Sequence, residues 1–437
     1  MSILKSMYSA ASGLNAHAGA ISVVSDNIAN VNTVGYKAAR ARFEDVLGST
    51  VAGAVSNQAS GQGVRLGGVH ALFTQGSMIG SRHNYDMAIQ GDGFFVLRGP
   101  FDGLQDGRFY SRDGQMNIDQ AGNLVNHKHL IVQGYNADAD ENISSTLSDI
   151  NIPLTAIVPP KKSSSVTIAS NLSPQTEFMG NFDVADPENT SHFATAVTLY
   201  DTLGVPHNIN IFFNQTATGT WEWHGIGNGE EMADDAGAQL SGNRQVAHGT
   251  LGFDSAGKLT AETQVTADND FHFFNADPDQ AVAFDFGDPT DDGGSGLEGV
   301  TQFDSPSSVS QIVTDGYPSG ALAGINVKLD GQIVGTFTNG QQRTMAAVAL
   351  ARFVNNDGLI RRDAGHFAES PDSGQALIGQ AGTGGRGSIM GNNLEGSTVE
   401  LASEFVNVIS FQRGFQANSR TISAADDLLQ EAVNLKR

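Results

Sequence analysis

The segment Met7–Val31, MYSAASGLNAHAGAISVVSDNIANV, carries apolar side chains on a strict seven-residue beat. Met7, Leu14, Ile21 and Ile28 fall seven apart, and Ala10, His17, Val24 and Val31 fill the position three residues on. That spacing puts one apolar seam along a helix, carried for about four heptads in the manner of a coiled coil. Residues 1–31 are therefore expected to be helical. Asn30-Val31-Asn32-Thr33-Val34-Gly35 stops the helix, with β-branched and turn residues ahead of a glycine.

The far end of the chain repeats the pattern. Leu394, Leu401, Val408, Phe415, Ile422 and Leu429 are also seven apart, with Phe411, Ala425 and Ala432 on the companion position. A helix over 394–437, at ~1.5 Å per residue, would run roughly 60 Å. Gly382-Thr383-Gly384-Gly385-Arg386-Gly387 precedes it as a flexible connector.

A heptad seam on a lone helix leaves its apolar side chains in water, and each fully buried Leu, Ile or Phe is worth about 1.5–3 kcal/mol. The plain reading is a two-helix hairpin within one chain. Such a pair is thin and leaves Phe405, Phe411 and Phe415 only partly covered, so helices of neighbouring copies are expected to complete it. The seam expected to drive polymerisation comprises Met7, Leu14, Ile21, Val24, Ile28, Leu394, Leu401, Phe405, Val408, Phe411, Phe415, Ile422 and Leu429.

Between the ends the texture changes. Short apolar runs, Phe94–Leu97, Leu130–Val132 and Ile209–Phe213, are separated by Gly, Asn and Asp. Asp-Gly, a hairpin signal, recurs at 92, 102, 106, 113, 330 and 357. The fold class expected is mixed and mainly β. The N- and C-terminal helices pair as a coiled-coil-like inner layer, and two outer β domains are inserted between them. Pro159–Ser165 and Asp315–Gly320 look like the hinges into and out of the outer insertion. The expected division is 1–31 plus 394–437 as the terminal helical domain, and 32–70 plus 365–393 as connecting segments. Residues 71–158 plus 316–364 make an inner β domain, and 159–315 an outer acidic β domain.

The 437 residues include 52 Gly, 39% hydrophobic residues and no Cys. Disulfides and cysteine-ligated metal sites are thereby excluded. With 47 acidic against 24 basic residues the net charge is −23, a surface that repels nucleic acid and anionic lipid. Residues 201–300 concentrate the effect, with 17 Asp or Glu against only Arg244 and Lys258. No stretch approaches the roughly 18 apolar residues of a membrane span, and Met1–Ser9 holds no continuous apolar run of a cleaved signal.

Enzyme signatures are missing: there is no G-x-S-x-G elbow, Walker A loop or H-E-x-x-H helix. Gly91-Asp92-Gly93 reads as a turn. His127-Lys128-His129 puts two imidazoles on one face of a strand without a third ligand. Trp221-Glu222-Trp223-His224 reads as a half-buried strand rather than a sugar platform. Asp285, Asp288, Asp291 and Asp292 lack EF-hand spacing and read as a solvated loop. No cofactor and no metal is expected. A secreted carbohydrate- or calcium-binding β protein is the alternative from another class, but such a protein needs no heptads at its ends.

Ser12-Gly13-Leu14-Asn15-Ala16 and then Asp26-Asn27-Ile28-Ala29-Asn30-Val31-Asn32-Thr33-Val34-Gly35-Tyr36-Lys37 closely resemble the N-terminal signature of the flagellar rod and hook (axial) protein family. Leu394–Leu401, Glu404-Phe405-Val406-Asn407 and Gln412-Arg413-Gly414-Phe415-Gln416-Ala417-Asn418 resemble its C-terminal signature, with Thr398 where the family usually has Asn. Gln90–Phe95 and Gly122–Val125 look like its central β motifs. Val197–Gly204, Gly331–Gly335 and Ala351–Leu359 resemble hook-type members, with the distal rod as the nearer alternative. Asn27, Ile28, Ala29, Asn30, Asn32, Thr33, Gly35, Tyr36, Gln412 and Arg413 match the signature positions. Tyr36 and Lys37 read as signature residues making a surface contact.

The resemblance implies a structural, non-enzymatic subunit of a curved extracellular tube that joins rod to filament and transmits torque. Its implied partners are copies of itself, rod and hook–filament junction proteins, a hook cap during assembly, and the flagellar type III export apparatus. Nucleic acid and membrane insertion are not implied. The lysine–cysteine cross-link of some hook proteins needs a cysteine that this chain lacks.

Overall fold

In the computed structural model, which describes residues 3–47, 61–234, 237–265, 271–277 and 280–434, the N-terminal seven-residue pattern forms helix α1 (Ile3–Ala29). The C-terminal pattern forms helix α2 (Leu401–Asn434). Among the described residues, everything between is strand, turn, irregular chain or short 3-10 helix. Part of the expected connecting segment 32–70, residues 48–60, lies outside the described residues. No described helix is long and apolar enough to cross a membrane.

The expected helix over 394–437 begins seven residues late. Leu394 lies in the strand Asn393–Glu395, paired antiparallel with Met78–Gly80 opposite Ile79. Gly396 donates its N–H to the Ser77 carbonyl, and β-branched Thr398 and Val399 follow. A sheet partner outbids the weak helix propensity of that stretch.

The chain divides into two compact units. The first comprises Met1–Leu154, Ala323–Thr336 and Gln342–Arg437. Next to α1 it carries a hairpin of β1 (Ala39–Leu47) and β2 (Gly61–Ala71), paired from Ala39 opposite Ala71 to Leu47 opposite Gly61 with register shifts after Arg42 and after Asp45. Its main sheet is antiparallel, in the order Gln342–Arg352, Ile131–Asn136, Phe94–Phe101, Leu104–Ser111, His366–Ala368 and Ile360–Arg361. Phe94, Tyr110, Phe353 and Phe367 fill one core, joined by Phe73, with Tyr110 edge-on to Phe353 at 4.8 Å. Such edge-to-face pairs set ring geometry as well as burying area.

Two imidazoles beside this sheet differ from expectation. His127 and Lys128 sit in a tight turn rather than on a strand, and His129 adopts φ 60°. The ring of His127 pairs with Asp113 at 3.1 Å. His366, fully buried, accepts at Nε2 from the Asn126 amide (2.9 Å) and donates from Nδ1 to the Asp363 carbonyl (3.0 Å). Only the neutral ring satisfies both partners. Burial holds its pKa below the usual histidine value.

The second unit comprises Thr155–Leu322 and Phe337–Gln341. A five-stranded antiparallel sheet runs Phe193–Tyr200, Pro206–Ala217, Thr220–Asn228, Asn243–Phe253 and Leu259–Gln264. A three-stranded sheet places Ser165–Asn171 between Ala283–Asp285, parallel, and Ser308–Thr314, antiparallel. Inward side chains of both sheets share one core, where Trp223 meets Phe284 at 5.1 Å and Phe286 at 4.9 Å. Trp221 and Trp223 point to the same side two residues apart and are wholly buried.

The segments read as hinges are clasped together. Lys161 and Tyr317 exchange backbone hydrogen bonds, both at 3.0 Å. The Asp315 carboxylate accepts from the Ser164 N–H (2.7 Å), the Ser164 hydroxyl (2.6 Å) and the Ser165 N–H (3.0 Å), and pairs with Lys161 at 3.1 Å. Partial burial pushes this carboxyl's pKa up, but those donors outweigh it and hold the group well below the usual range.

Turn chemistry is more regular than the Asp-Gly count suggested. Asp102-Gly103 is a two-residue hairpin turn with φ 52° and 81°, joining Phe101 to its partner Leu104. Asp106-Gly107 is no turn; Gly107 lies within a strand opposite Gly99. The recurrent device is Asp-x-x-Gly-x. In the loops starting at Asp119, Asp138, Asp201 and Asp254, the Asp Oδ1 accepts from the N–H groups two and four residues on, at 2.8–2.9 Å. The fourth residue is left-handed: Gly122, Glu141, Gly204 and Gly257 have φ of 85°, 64°, 81° and 77°. This is a type I turn closed by a bulge, locked by the carboxylate.

Candidate assembly site at the helix roots

Helices α1 and α2 lie side by side and antiparallel, both in the first unit. Gly13 faces Asn418, His17 faces Gly414, and Asn27 meets Glu404. A Cβ on Gly414 would stand 2.6 Å from the His17 ring, so the approach requires glycine. The His17 ring also touches Phe43 of β1 (5.4 Å) and Phe411 (6.1 Å). On the other flank the Ser12 hydroxyl accepts from the Val64 N–H of β2 at 3.1 Å.

The buried face of α1 is built from small residues: Ala10, Gly13, Ala16, Ala20, Val24 and Asn27. Met7, Leu14, Ile21 and Ile28, expected at the seam centre, are half-buried at its margins, and Val24 alone of the α1 set is buried. On α2, Val408, Phe411, Ile422 and Leu429 are half-buried. Leu401, Phe405 and Phe415 are exposed at 40%, 54% and 39%, alongside Val406 at 66% and Ile409 at 51%. One side of α2 is spent on α1, and Leu401, Phe405, Val406 and Ile409 lie open on the rest.

Where the helices meet the β structure, the two terminal signatures knot together. Asn27 is buried; its amide oxygen accepts from the Ala39 N–H (2.8 Å) and its Nδ2 donates to the Ala39 carbonyl (2.7 Å) and to Glu404 (3.2 Å). The Tyr36 hydroxyl donates to Asn27 (3.2 Å) and Asp26 (3.1 Å), and the Arg361 guanidinium lies over the Tyr36 ring at 4.9 Å. Thr398 accepts from the Ala38 N–H (2.9 Å) and donates its own N–H to the Tyr36 carbonyl (3.1 Å). Gly35, at φ 68°, donates to the Glu395 carbonyl at 2.7 Å; a Cβ there would meet the Arg112 backbone at 2.6 Å.

The hub of the knot is Glu395, fully buried. Its Oε1 accepts from Lys37 (2.6 Å), Gln75 (2.8 Å) and the Gly76 N–H (2.8 Å), and its Oε2 from Arg112 (3.3 Å). Lys37 also donates to the Thr74 carbonyl (2.6 Å) and Arg112 to the Gly91 carbonyl (2.8 Å). Burial lowers the pKa of both cations, with Glu395 opposing the shift. Tyr36 and Lys37 are thus no surface contacts: both are buried, the Lys37 side chain to 1% exposure. The remaining signature residues spread outward. Ile28 and Asn30 are half-buried, while Ala29, Asn32, Thr33, Gln412 and Arg413 are exposed. Asn30, Asn32 and Thr33 line a polar cleft of about 650 Å³ with Asp26, Lys128 and Arg361.

Arg112, Glu395 and Gln75 were not singled out from the sequence as site residues. A buried ion cluster has no periodicity to reveal it; the only signal is the mutual closeness of signature words that are far apart in the chain. Chemically the arrangement holds both helix roots in fixed orientation, and it offers neither a nucleophile–base pair nor an open ligand cradle.

Four families match the chain in order: Flagella basal body rod protein over residues 7–37, Flagellar hook protein FlgE/F/G D1 domain over 88–171, Flagellar basal body protein FlaE D2 domain over 167–317, and Flagellar basal body rod FlgEFG protein C-terminal over 390–435. The flagellar hook protein FlgE of Borreliella burgdorferi is 31% identical, covering 99% of this chain and 100% of that protein. Those of Treponema pallidum (29%, 100% of both) and Salmonella typhimurium (30%, 98% and 99%) are similar across the same span.

Proposed function

Because the chain belongs to the flagellar hook protein family and is a structural subunit of the hook, we propose that the outward stripe of α2 is the surface through which neighbouring copies polymerise. Homopolymer formation is what the family implies. The carrying observation is that Leu401, Phe405, Val406 and Ile409 stay open to water while the same helix packs against α1 along its other side. Fully burying each such side chain is worth about 1.5–3 kcal/mol, which association recovers.

In this reading α1 and α2 form a coiled-coil-like inner layer of the tube, with Met7, Leu14, Ile21 and Ile28 closing its margins. The β domains inserted between them lie outside, and the polar knot around Glu395 passes load from helix to sheet. The tube is extracellular and held without covalent cross-links, and the subunit passes through the flagellar type III apparatus. Rod, junction and cap proteins meet it at its two ends. Its relatives in several organisms are flagellar hook proteins, which supports this class over an enzyme.

The test is removal of residues 401–437 from the full chain. Negative-stain microscopy should then show no tubes or rings, while circular dichroism retains the β signal of the folded centre. A truncated chain that still forms tubes would contradict the proposal.

A further inference from the structure

Four loops share one geometry, and in three of them the residues two and four places after the Asp are small or polar. These are Ala121 and Asn123, Asp140 and Asn142, and Ala256 and Lys258. The loop at Asp201 has Leu203 and Val205 there instead. Both bond to the Asp through backbone groups alone, so the fold asks nothing of their side chains. Those side chains stand 62% and 47% exposed. Beside them the loop abuts two prolines: a Cβ on Gly204 would meet Pro160 at 2.7 Å and Pro318 at 3.3 Å. The result is an uncharged apolar knuckle on the second unit.

Its surroundings make it distinctive. Residues 201–300 hold 17 acidic against two basic residues, so like surfaces of two copies repel. At the knuckle the nearby charges are already matched, Lys161 with Asp315 at 3.1 Å and Lys162 with Asp277 at 3.6 Å. The unit exposes other apolar side chains as well, Phe178 and Leu297 among them, but a neutral apolar patch whose neighbouring charges are paired is where another acidic unit can approach without stranding charge. We infer that the Leu203–Val205 knuckle is a contact between copies of this chain in the assembled tube, buried by a second copy. The inference rests on the polymer reading above, and it adds a site remote from the helices.

The chain has no cysteine, so Leu203→Cys places a single thiol on the knuckle, and Ala256→Cys places one on a loop of matching geometry as control. Each full-length variant is labelled with a small maleimide as monomer and as tube. Leu203→Cys should label about tenfold or more slower in tubes, as expected for a thiol closed off by a contact, while Ala256→Cys changes little. Leu203→Asp should keep the melting temperature of the monomer yet raise the protein concentration needed for tubes. Equal labelling of Leu203→Cys in monomer and tube, or unchanged assembly of Leu203→Asp, overturns the knuckle contact and leaves the helix proposal standing. If microscopy shows that the parent chain forms no tubes, both fall together.

Discussion

Glu395 accepts bonds from two buried cations, and the three charges depend on each other. Glu395→Gln leaves Lys37 and Arg112 buried against a neutral amide, and should cost about 3–5 kcal/mol in urea unfolding of the first unit. Lys37→Met, which leaves the Glu395–Arg112 pair intact, should cost clearly less; the reverse order would show that Lys37 is the hub. None of this was legible locally. Lys37 and Glu395 are 358 residues apart, and a lone lysine beside a tyrosine reads as surface until its partner is placed. His366 supplies the pH counterpart. Its folded pKa lies below the unfolded value of about 6.5, so the unfolded chain binds the extra proton first. Stability is full above that value and is lost as pH falls through it toward the lowered folded pKa, because the imidazolium forfeits the Asn126 bond. Between pH 8 and 5 the melting temperature should fall, and His366→Gln should flatten the slope; equal slopes would refute the assignment.

Among elements, the helices were legible as helices but not as surfaces. The seven-residue beat located α1, which ends at Ala29, two residues before the expected end, since period is a property of sequence alone. Which stripe is buried depends on how closely the partner comes. Gly13, Ala16 and Gly414 bring the backbones near, so the small residues are covered and the large ones are pushed to the edge. Gly414→Leu should therefore split the pair: a side chain placed 2.6 Å from His17 must displace it. A loss of about 1–3 kcal/mol and faster amide exchange in α1 are expected. Unchanged exchange would mean that α1 is held by the β1–β2 hairpin alone. Leu394 fits the same beat and is a strand residue, because periodicity is blind to a waiting sheet edge. The turns behaved in the opposite way: their Asp and Gly letters were plain, but in the recurrent loop the left-handed residue follows the Asp by three positions rather than one.

For the molecule as a whole, the second unit is compact with a core of its own, and its two connecting strands are clasped at Lys161–Tyr317 and Asp315. Excising residues 160–315 and joining the ends with a short Gly-Ser linker should leave the first unit folded. Tubes should still form, dissociating more readily because the knuckle contact is gone. Complete loss of tubes in microscopy would show that the second unit is essential to the polymer. The acidic bias of this region and the proline-rich words at its borders set it apart in the sequence. Its two-sheet core was not legible there, because strand order is fixed by pairings between distant segments.

The knot at the helix roots also fixes an order of events. Asn27, Tyr36 and Lys37 emerge early from any N-to-C delivery, but their partners Glu395, Thr398 and Glu404 come in the last tenth of the chain. Until that final stretch arrives, the leading helix has no root to seat in and Lys37 has no counter-ion. A chain delivered from its N-terminus would thus keep a pliant base until its tail arrived.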